Sequence, residues 1–247
     1  MPCSLPPEVL DLIVDHLLDE PTALKGCCLV SKSWVPRTRK HLFANVEFHA
    51  EESHIKLWKD AFPDPSNSPA HHTRSLFIRG FAVFAADVGG WIHTFNRVNH
   101  LRLECLSNED HRISLIPFHG LSPTLKSLRL NCSYPNVFDL ICSFPLLEDL
   151  ALVSSTYESD TGGWDTPSTS PKLTGSLDLR IPAGICAPAR RLLGFPGGLH
   201  FTGITVGYRY EGIGSTSDLV LRCSDTLEYL SIAYCFPSAF HSTPVLG

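Results

Sequence analysis

PTLKSLRLNC, at residues 123–132, contains the triplet that decides the fold: an aliphatic residue, any residue, and a second aliphatic residue. Seven copies of this triplet occur, and their first positions are separated by 25, 27, 22, 27, 27 and 26 residues. A period of 20–29 residues is typical of arrays in which every unit contributes one short strand. The copies are Leu76-Phe77-Ile78, Leu101-Arg102-Leu103, Leu128-Arg129-Leu130, Leu150-Ala151-Leu152, Leu177-Asp178-Leu179, Ile204-Thr205-Val206 and Leu230-Ser231-Ile232.

Each triplet predicts a strand with its two aliphatic side chains on one face, because side chains alternate along a strand. One strand of this length cannot bury its apolar face alone, so neighbouring units must stack. Three copies carry a further leucine three residues ahead of the strand, at Leu125, Leu147 and Leu227. The repetition in phase favours a stacked array over a single irregular core.

The segments between strands predict helices that return along the other side of the array. Helical spacing of apolar residues indicates two of them. One carries Val137, Leu140, Ile141 and Phe144, and the other carries Trp91, Ile92 and Phe95. Proline and glycine at residues 182–198 leave room for only a short helix there. The segment 51–62 predicts a short amphipathic helix.

Residues 4–46 have a different character and predict three short helices. Pro6, Pro7 and Glu8 favour a helix start, because proline tolerates the first turn and an early carboxylate complements the helix dipole. An apolar stripe follows from Val9 to Leu18. Thr22 is predicted to cap the second helix, and Pro36 to open the third. Three helices of this size have more apolar surface than they can bury by themselves.

The sequence of this block resembles the F-box motif. The resemblance lies in LPPEVL at residues 5–10, Ile13, LLD at 17–19 and CLVSKSW at 28–34. The triplets downstream resemble leucine-rich repeats, and the whole chain resembles F-box proteins common in mushroom-forming fungi. The resemblance implies an α/β repeat fold, with a trihelical F-box at 4–46, a helical linker at 47–72 and a leucine-rich-repeat-like solenoid at 73–247. A polar insertion is expected at about 154–172, and the turn at 19–24 is one residue longer than usual.

The resemblance implies a non-catalytic adaptor that recruits a target protein to a Skp-cullin-F-box ubiquitin ligase. The residues implied to bind or support the Skp adaptor are Leu5, Pro6, Pro7, Glu8, Ile13, Leu29, Val30 and Trp34. For Ile13, Leu24 and Val30 a place in the core of the three helices is an equal alternative. A scaffold that binds a partner through the repeats without any ligase remains a second hypothesis.

The target protein is expected to bind the residues between the two aliphatic positions of each triplet. These residues are Phe77, Arg102, Arg129, Ala151, Asp178, Thr205 and Ser231. Arg102 and Arg129 would be neighbours about 5 Å apart in a parallel sheet, and paired guanidinium groups suit an acidic or phosphorylated segment. The alternative is a solvated charged face in which Glu104 balances the arginines.

Composition narrows the classes of partner and of chemistry. A net charge of −5 and a sequence pI near 6.2 argue against nucleic acid as a partner. Residues 1–16 lack the pattern of a secretory signal, and the most apolar stretch, 81–92, is too short to cross a bilayer. We therefore expect a cytoplasmic or nuclear protein without membrane contact. Fifteen residues follow Ile232 without a further triplet, so either this tail covers the last repeat or the chain is a truncated form of a longer receptor.

Residues with reactive side chains show no catalytic or metal-binding pattern. The nine cysteines include no C-x-x-C pair, so neither a disulfide framework nor a zinc site is indicated. Cys105 and Cys132 follow their strands at a position where a small buried thiol is expected. His71 and His72 are adjacent in a connector, where two rings do not converge on one metal. We expect no cofactor, no metal and no enzyme activity, with a Cys/His hydrolase assembled across repeats as the alternative.

Overall fold

Short parallel strands and intervening helices make up the described part of this α/β chain. The computed structural model describes residues 6–49, 54–80, 91–104, 118, 121, 123–131, 137–153, 171–180, 187–208 and 213–234. The fold divides into two units, residues 1–127 and 128–247. The predicted positions Leu5, Cys105 and Cys132, and most of the predicted insertion at 154–172, lie outside the described residues.

Unit 1 opens with three helices at the places where the sequence predicts them. Pro7 begins the first helix and Glu8 lies in its first turn. The second helix begins at Pro21, so Thr22 lies inside its first turn, and the prediction that Thr22 caps this helix is wrong. A proline ring already holds the φ that the first turn needs, which makes Pro21 an effective start. The helices are α1 (Pro7–Asp15), α2 (Pro21–Val30) and α3 (Val35–Leu42).

The same unit contains three strands in parallel register. They are β1 (Asn45–His49), β2 (Ser75–Arg79) and β3 (His100–Glu104). The apolar pairs Val46/Phe48, Leu76/Ile78 and Leu101/Leu103 are aligned and buried. β1 was not predicted, because Phe48 stands where the other strands have an aliphatic residue. The predicted helical linker at 47–72 therefore begins inside a strand, and its helix is α4 (His54–Ala61).

An aromatic cluster fills the space between α4 and β1. The ring of Phe48 lies 5.6 Å from Trp58, 5.2 Å from Trp91 and 6.1 Å from Phe95, all edge to face. This arrangement aligns the positive edge of one ring with the negative face of the next. The predicted helix containing Trp91 and Phe95 is only one 3-10 turn, Ile92–Thr94. Trp91 Nε1 is buried and finds no hydrogen-bond acceptor among the described residues.

Unit 2 repeats the alternation of strand and helix. Its elements are β4 (Ser127–Asn131), which begins at the boundary residue, α5 (Val137–Cys142), β5 (Asp149–Val153), β6 (Ser176–Arg180), α6 (Ala187–Leu193), β7 (Gly203–Tyr208), α7 (Ile213–Arg222) and β8 (Tyr229–Tyr234). β5, β6, β7 and β8 pair in parallel, each with the next along the chain. The return helix predicted from Val137, Leu140 and Ile141 is confirmed as α5, and the short helix predicted in the glycine-rich segment is α6.

The core of unit 2 is formed by the paired aliphatic positions of its strands. Leu177 is 1% exposed, and both aliphatic positions of each triplet are buried in β4 to β7. β8 differs, because Leu230 is 43% exposed and Ile232 is 48% exposed. The apolar face of β8 has a partner strand on one side, β7. The remaining tail, residues 235–247, lies outside the described part of the chain.

The same hydrogen-bond pattern recurs where strands begin. Two successive backbone N–H groups, of Arg74 and Ser75, donate to the carbonyl of Ala44, at 2.8 and 3.0 Å. The next strand in unit 1 repeats it, with the N–H groups of Asn99 and His100 donating to the carbonyl of Arg74. In unit 2 the pairs at 202–203 and 228–229 do the same. Each pair fixes a strand start beside the preceding one, which sets the register without side chains.

Gly175, ahead of β6, shows how tightly these strand starts approach each other. A Cβ on this residue would lie 2.4 Å from Asp149 Oδ1 and 3.1 Å from the backbone carbonyl carbon of Glu148. Its own N–H donates to the carbonyl of Glu148 at 3.0 Å. Asp149 Oδ1 accepts hydrogen bonds from the backbone N–H and the hydroxyl of Ser176, both at 2.7 Å. Glycine is required here by close approach of the backbone, not by an unusual φ.

Candidate functional site

Six large aliphatic residues of the first two helices and their turns are exposed. We call them the exposed aliphatic set: Val9, Leu12, Ile13, Leu18, Leu29 and Val30. Leu29 is 89% exposed and Val30 is 70% exposed. Val9, Leu12 and Ile13 are three and four residues apart, so they share one face of α1. Exposed apolar patches are found at sites where proteins bind other proteins or membranes.

The core of the three helices uses other residues. Val14, Leu24, Cys27 and the methyl-bearing Thr38 are buried. Thr38 satisfies its hydroxyl by donating to the carbonyl of Trp34 at 2.7 Å. For Ile13, Leu24 and Val30, burial in the core of the three helices was the equal alternative. Leu24 is buried in this core, whereas Ile13 and Val30 are exposed.

The other residues implied to bind the adaptor lie near helix starts. Pro6, Pro7 and Glu8 are exposed at the start of α1. Trp34 is partly buried immediately before α3, and its carbonyl accepts from the backbone N–H of Thr38 at 3.0 Å. The backbone of Trp34 therefore starts the third helix, while part of its ring remains accessible.

A carboxylate at the end of α1 joins that helix to α3. Asp15 accepts from Arg37 Nε at 2.7 Å and also pairs with Arg37 Nη2, and His41 Nε2 lies 2.7 Å from Asp15 Oδ1. The Arg37 hydrogen bonds, helped by His41, hold the pKa of Asp15 well below its usual range against partial desolvation. Hydrogen bonding to Asp15 correspondingly raises the pKa of Arg37. This group ties α1 to α3, and no pattern in the sequence indicated it.

Arg102 lies on the exposed face of the unit 1 strands, where it contacts an aromatic ring and a carboxylate. The guanidinium of Arg102 lies 4.5 Å from the ring centroid of Phe77, and Arg102 Nε donates to Glu104 Oε1 at 2.9 Å. Arg79 Nε lies 3.9 Å from the other oxygen of Glu104. The negative charge of Glu104 therefore compensates both arginines, which agrees with the alternative prediction of a solvated charged face.

On the exposed face of unit 2, Arg129 reaches toward an acidic residue two strands away. β5 lies between β4 and β6, and its residue in the middle position is the small Ala151. Arg129 Nη1 lies 3.8 Å from Asp178 Oδ2, and Arg180 Nε donates to Asp178 Oδ1 at 3.0 Å. Arg129 Nε is buried without a hydrogen-bond partner in the described part of the chain. The carboxylate of Asp178 therefore faces two guanidinium groups, and Asp149 places a second carboxylate on the same face at the start of β5.

The predicted pair of neighbouring arginines is divided between the two units. Arg102 belongs to residues 1–127 and Arg129 to residues 128–247. Each is engaged by a carboxylate of its own unit, Glu104 or Asp178. Ser231 in β8 and Thr205 in β7 are both half-buried. Arg180 was not among the predicted residues, although its place two residues after Asp178 puts it on the same strand face.

The thiols and imidazoles of the described residues were considered as metal ligands and as nucleophiles. No group of three His, Cys, Asp or Glu residues suited to a metal ion occurs among them. Burial raises the pKa of Cys142 to about 11, with a further contribution from Asp139, and burial also raises the pKa of Cys223. A thiol with a raised pKa is a poor nucleophile at neutral pH. These cysteines act as small core residues.

Comparisons of the chain with protein families, with curated proteins and with solved structures find no match. None of the described helices combines the length and the apolar character needed to cross a bilayer. What the chain does must therefore be inferred from its own residues.

Proposed function

We propose that this chain is a substrate-recognition adaptor of a Skp-cullin-F-box ubiquitin ligase. The three N-terminal helices dock on the Skp adaptor as an F-box, and the strand array binds the protein to be ubiquitinated. The chain supplies no reactive group of its own. It accelerates ubiquitin transfer by holding target and ligase on one scaffold, which raises their effective concentration.

The observation that carries the proposal is the exposure of motif residues that a self-contained bundle would bury. Ile13, Leu29 and Val30 were all implied by the motif to contact the adaptor, and all three are exposed. Fully burying one such side chain is worth about 1.5–3 kcal/mol, so three exposed aliphatics are a substantial apolar surface available to a partner. Asp15 and Arg37 support the proposal by holding α1 against α3 while these side chains face outward.

The downstream half is proposed to be a leucine-rich-repeat solenoid. Its support is the recurrence of one strand unit with buried positions in register and of the same paired backbone hydrogen bonds at strand starts. Such arrays present the residues between the buried positions as a binding surface. In unit 2 these are Arg129, Ala151, Asp178, Thr205 and Ser231. Arg129 and Arg180, which flank Asp178, are the groups that would pair with acidic side chains of a target segment.

Co-expression with a Skp adaptor tests the docking half of the proposal. The full chain should co-purify with the adaptor, and Leu29→Asp should abolish co-purification, because a central apolar contact replaced by a charge costs about 2 kcal/mol or more. Leu29 is exposed, so the substitution leaves the fold intact. Leu221→Asp, at another exposed leucine on α7 in unit 2, is the matched control and should co-purify like the wild type.

The same experiment separates the proposal from the second hypothesis. A scaffold that acts without a ligase would fold normally, as judged by its circular dichroism, and would fail to co-purify with any Skp adaptor offered. Equal co-purification of the wild type and Leu29→Asp would also contradict docking through α2. The target-binding half is tested separately by Arg129→Glu, which should weaken capture of target proteins without changing adaptor binding.

A further inference from the structure

Three backbone segments of unit 1 lie side by side at the ends where β1, β2 and β3 begin. Thr73 Oγ1 donates to the carbonyl of Phe43 at 2.9 Å, and the N–H of Arg74 donates to the carbonyl of Ala44 at 2.8 Å. The N–H of Asn99 donates to the carbonyl of Arg74 at 2.8 Å. The end of α3, the 3-10 turn Pro69–His72 and the segment before β3 are therefore fixed next to one another.

Each of these three segments contains basic residues within four positions, along the chain, of a residue that makes one of these hydrogen bonds. Arg39 and Lys40 lie in the last turn of α3, His71 and His72 end the 3-10 turn, and Arg97 precedes β3. We call these five residues the basic cluster. The rings of His71 and His72 have centroids 4.0 Å apart. The sequence contains no long Lys/Arg run, and the fold assembles the basic cluster from separate stretches.

The basic cluster places His72 among positive charges. Desolvation lowers the pKa of His72, and the positive charges of His71, Arg39, Arg97 and Lys40 lower it further. Within the part of the chain that the structure describes, Arg39, Lys40 and Arg97 take part in no side-chain ion pair. This contrasts with Arg37, Arg102 and Arg129, each of which has a carboxylate partner.

The helix dipole explains only part of this arrangement. Basic residues in the last turn complement the negative end of a helix, which accounts for Arg39 and Lys40. Arg97 belongs to no helix, and His72 is partly buried where positive charges surround it. In a chain with a net charge of −5, uncompensated positive charge gathered from three segments indicates a place where an anion is held.

We propose that the basic cluster binds a phosphate dianion, supplied either free or on a phosphorylated segment of a partner protein. Two arginines and a lysine suit phosphate because guanidinium groups donate paired hydrogen bonds to its oxygens and an ammonium adds charge. The five residues of the basic cluster belong neither to the exposed aliphatic set nor to the strand faces. A bound dianion offsets the repulsion around His72 and favours its protonated form.

Nuclear magnetic resonance of the His72 imidazole in the full chain tests this proposal. Inorganic phosphate should shift the His72 resonance and the shift should saturate, whereas sodium chloride at equal ionic strength should not produce it. A titration from pH 5 to 8 should give a higher pKa for His72 with phosphate than with sodium chloride. Arg97→Ala and Lys40→Ala should each weaken phosphate binding about tenfold, the loss expected for one hydrogen bond to a charged group. Lys25→Ala, at an exposed lysine on α2, is the matched control and should bind phosphate like the wild type.

Two further probes identify the source of the phosphate. A phosphoserine peptide that binds more tightly than inorganic phosphate, and more tightly than the same peptide unphosphorylated, assigns the site to a partner segment. Equal affinity for both phosphate probes assigns it to a free anion. A shift that does not saturate, or one unchanged in Arg97→Ala, overturns the proposal, as does selective binding of a glutamate-rich peptide without phosphate binding. Adaptor co-purification of Arg97→Ala should equal that of the wild type.

Discussion

Leu177 and Leu230 occupy the same position in two strands of unit 2, yet truncating them should have very different consequences. Leu177 is 1% exposed and is aligned with Leu150 on one side and Ile204 on the other. Leu230 is 43% exposed and is aligned with Ile204 on one side. If the strands form a stacked array, the cost of truncation must depend on the presence of a second neighbour.

The magnitudes follow from burial. Leu177→Ala loses the full transfer free energy of the removed atoms and leaves a cavity enclosed by both neighbours, which together cost about 3–4 kcal/mol. Leu230→Ala loses a little over half of the transfer term, and solvent fills the space, so its cost should be about 1 kcal/mol. We therefore expect the two variants to differ by about 2–3 kcal/mol in the free energy of unfolding.

Urea unfolding followed by far-ultraviolet circular dichroism measures this difference. In the transition assigned to unit 2, the free energy of unfolding should fall with urea concentration at the same slope in the wild type and both variants. The midpoints then report differences in stability directly. Leu177→Val, which keeps a branched aliphatic side chain, should fall between Leu177→Ala and the wild type. Equal destabilisation by Leu177→Ala and Leu230→Ala would refute the reasoning, because it would mean that Leu230 is covered in solution as well as Leu177.

Two further predictions concern titratable groups. Arg37 holds the pKa of Asp15 below its usual range, so the ion pair stabilises the fold above the unfolded pKa of about 4 and this stabilisation is lost as the pH falls below it. Asp15→Asn should therefore be less stable than the wild type at pH 7, and the gap in the urea midpoint should narrow toward pH 3; a gap that widens would contradict the pairing. Burial raises the pKa of Cys142 to about 11, so only on the order of one thiol in a thousand is ionised at pH 8. Iodoacetamide should alkylate Cys142 far more slowly than the partly exposed Cys28 in the native chain, as read by peptide mass spectrometry, and comparable rates would show that the α5 core opens readily.

The elements built on alternating leucines could be predicted from the sequence because burial and period act on the same residues. Leu101 and Leu103 are both aliphatic, both buried and aligned with the strand before them. β1 escaped the prediction because Phe48 replaces the second aliphatic residue, although its ring occupies the same buried position. The aromatic partners that make this possible, Trp58 and Trp91, come from distant segments whose meeting no local pattern encodes.

The contact of Arg102 with Glu104, two residues apart on one strand, could be foreseen from the sequence. Two other charged contacts could not, because they depend on distance through space and on the size of intervening residues. Arg129 reaches Asp178 across a strand on which only the methyl group of Ala151 stands in the way. Asp15 and Arg37 are 22 residues apart and meet only when α1 packs on α3. The apolar residues from Val9 to Leu18 were predicted as one stripe, but the division between core and surface within it follows from which face of α1 packs on α3.

The central claim is that the aliphatic side chains of α1 and α2 are exposed in this chain because another protein covers them. Isothermal titration of the purified full chain with a purified Skp adaptor tests it most directly. The account predicts a one-to-one complex with a dissociation constant of about 1 μM or tighter, a negative heat-capacity change from apolar burial, and loss of the signal in Val30→Asp. A chain that stays monomeric and folded, and that gives no heat of binding at tens of micromolar concentration, would contradict the account.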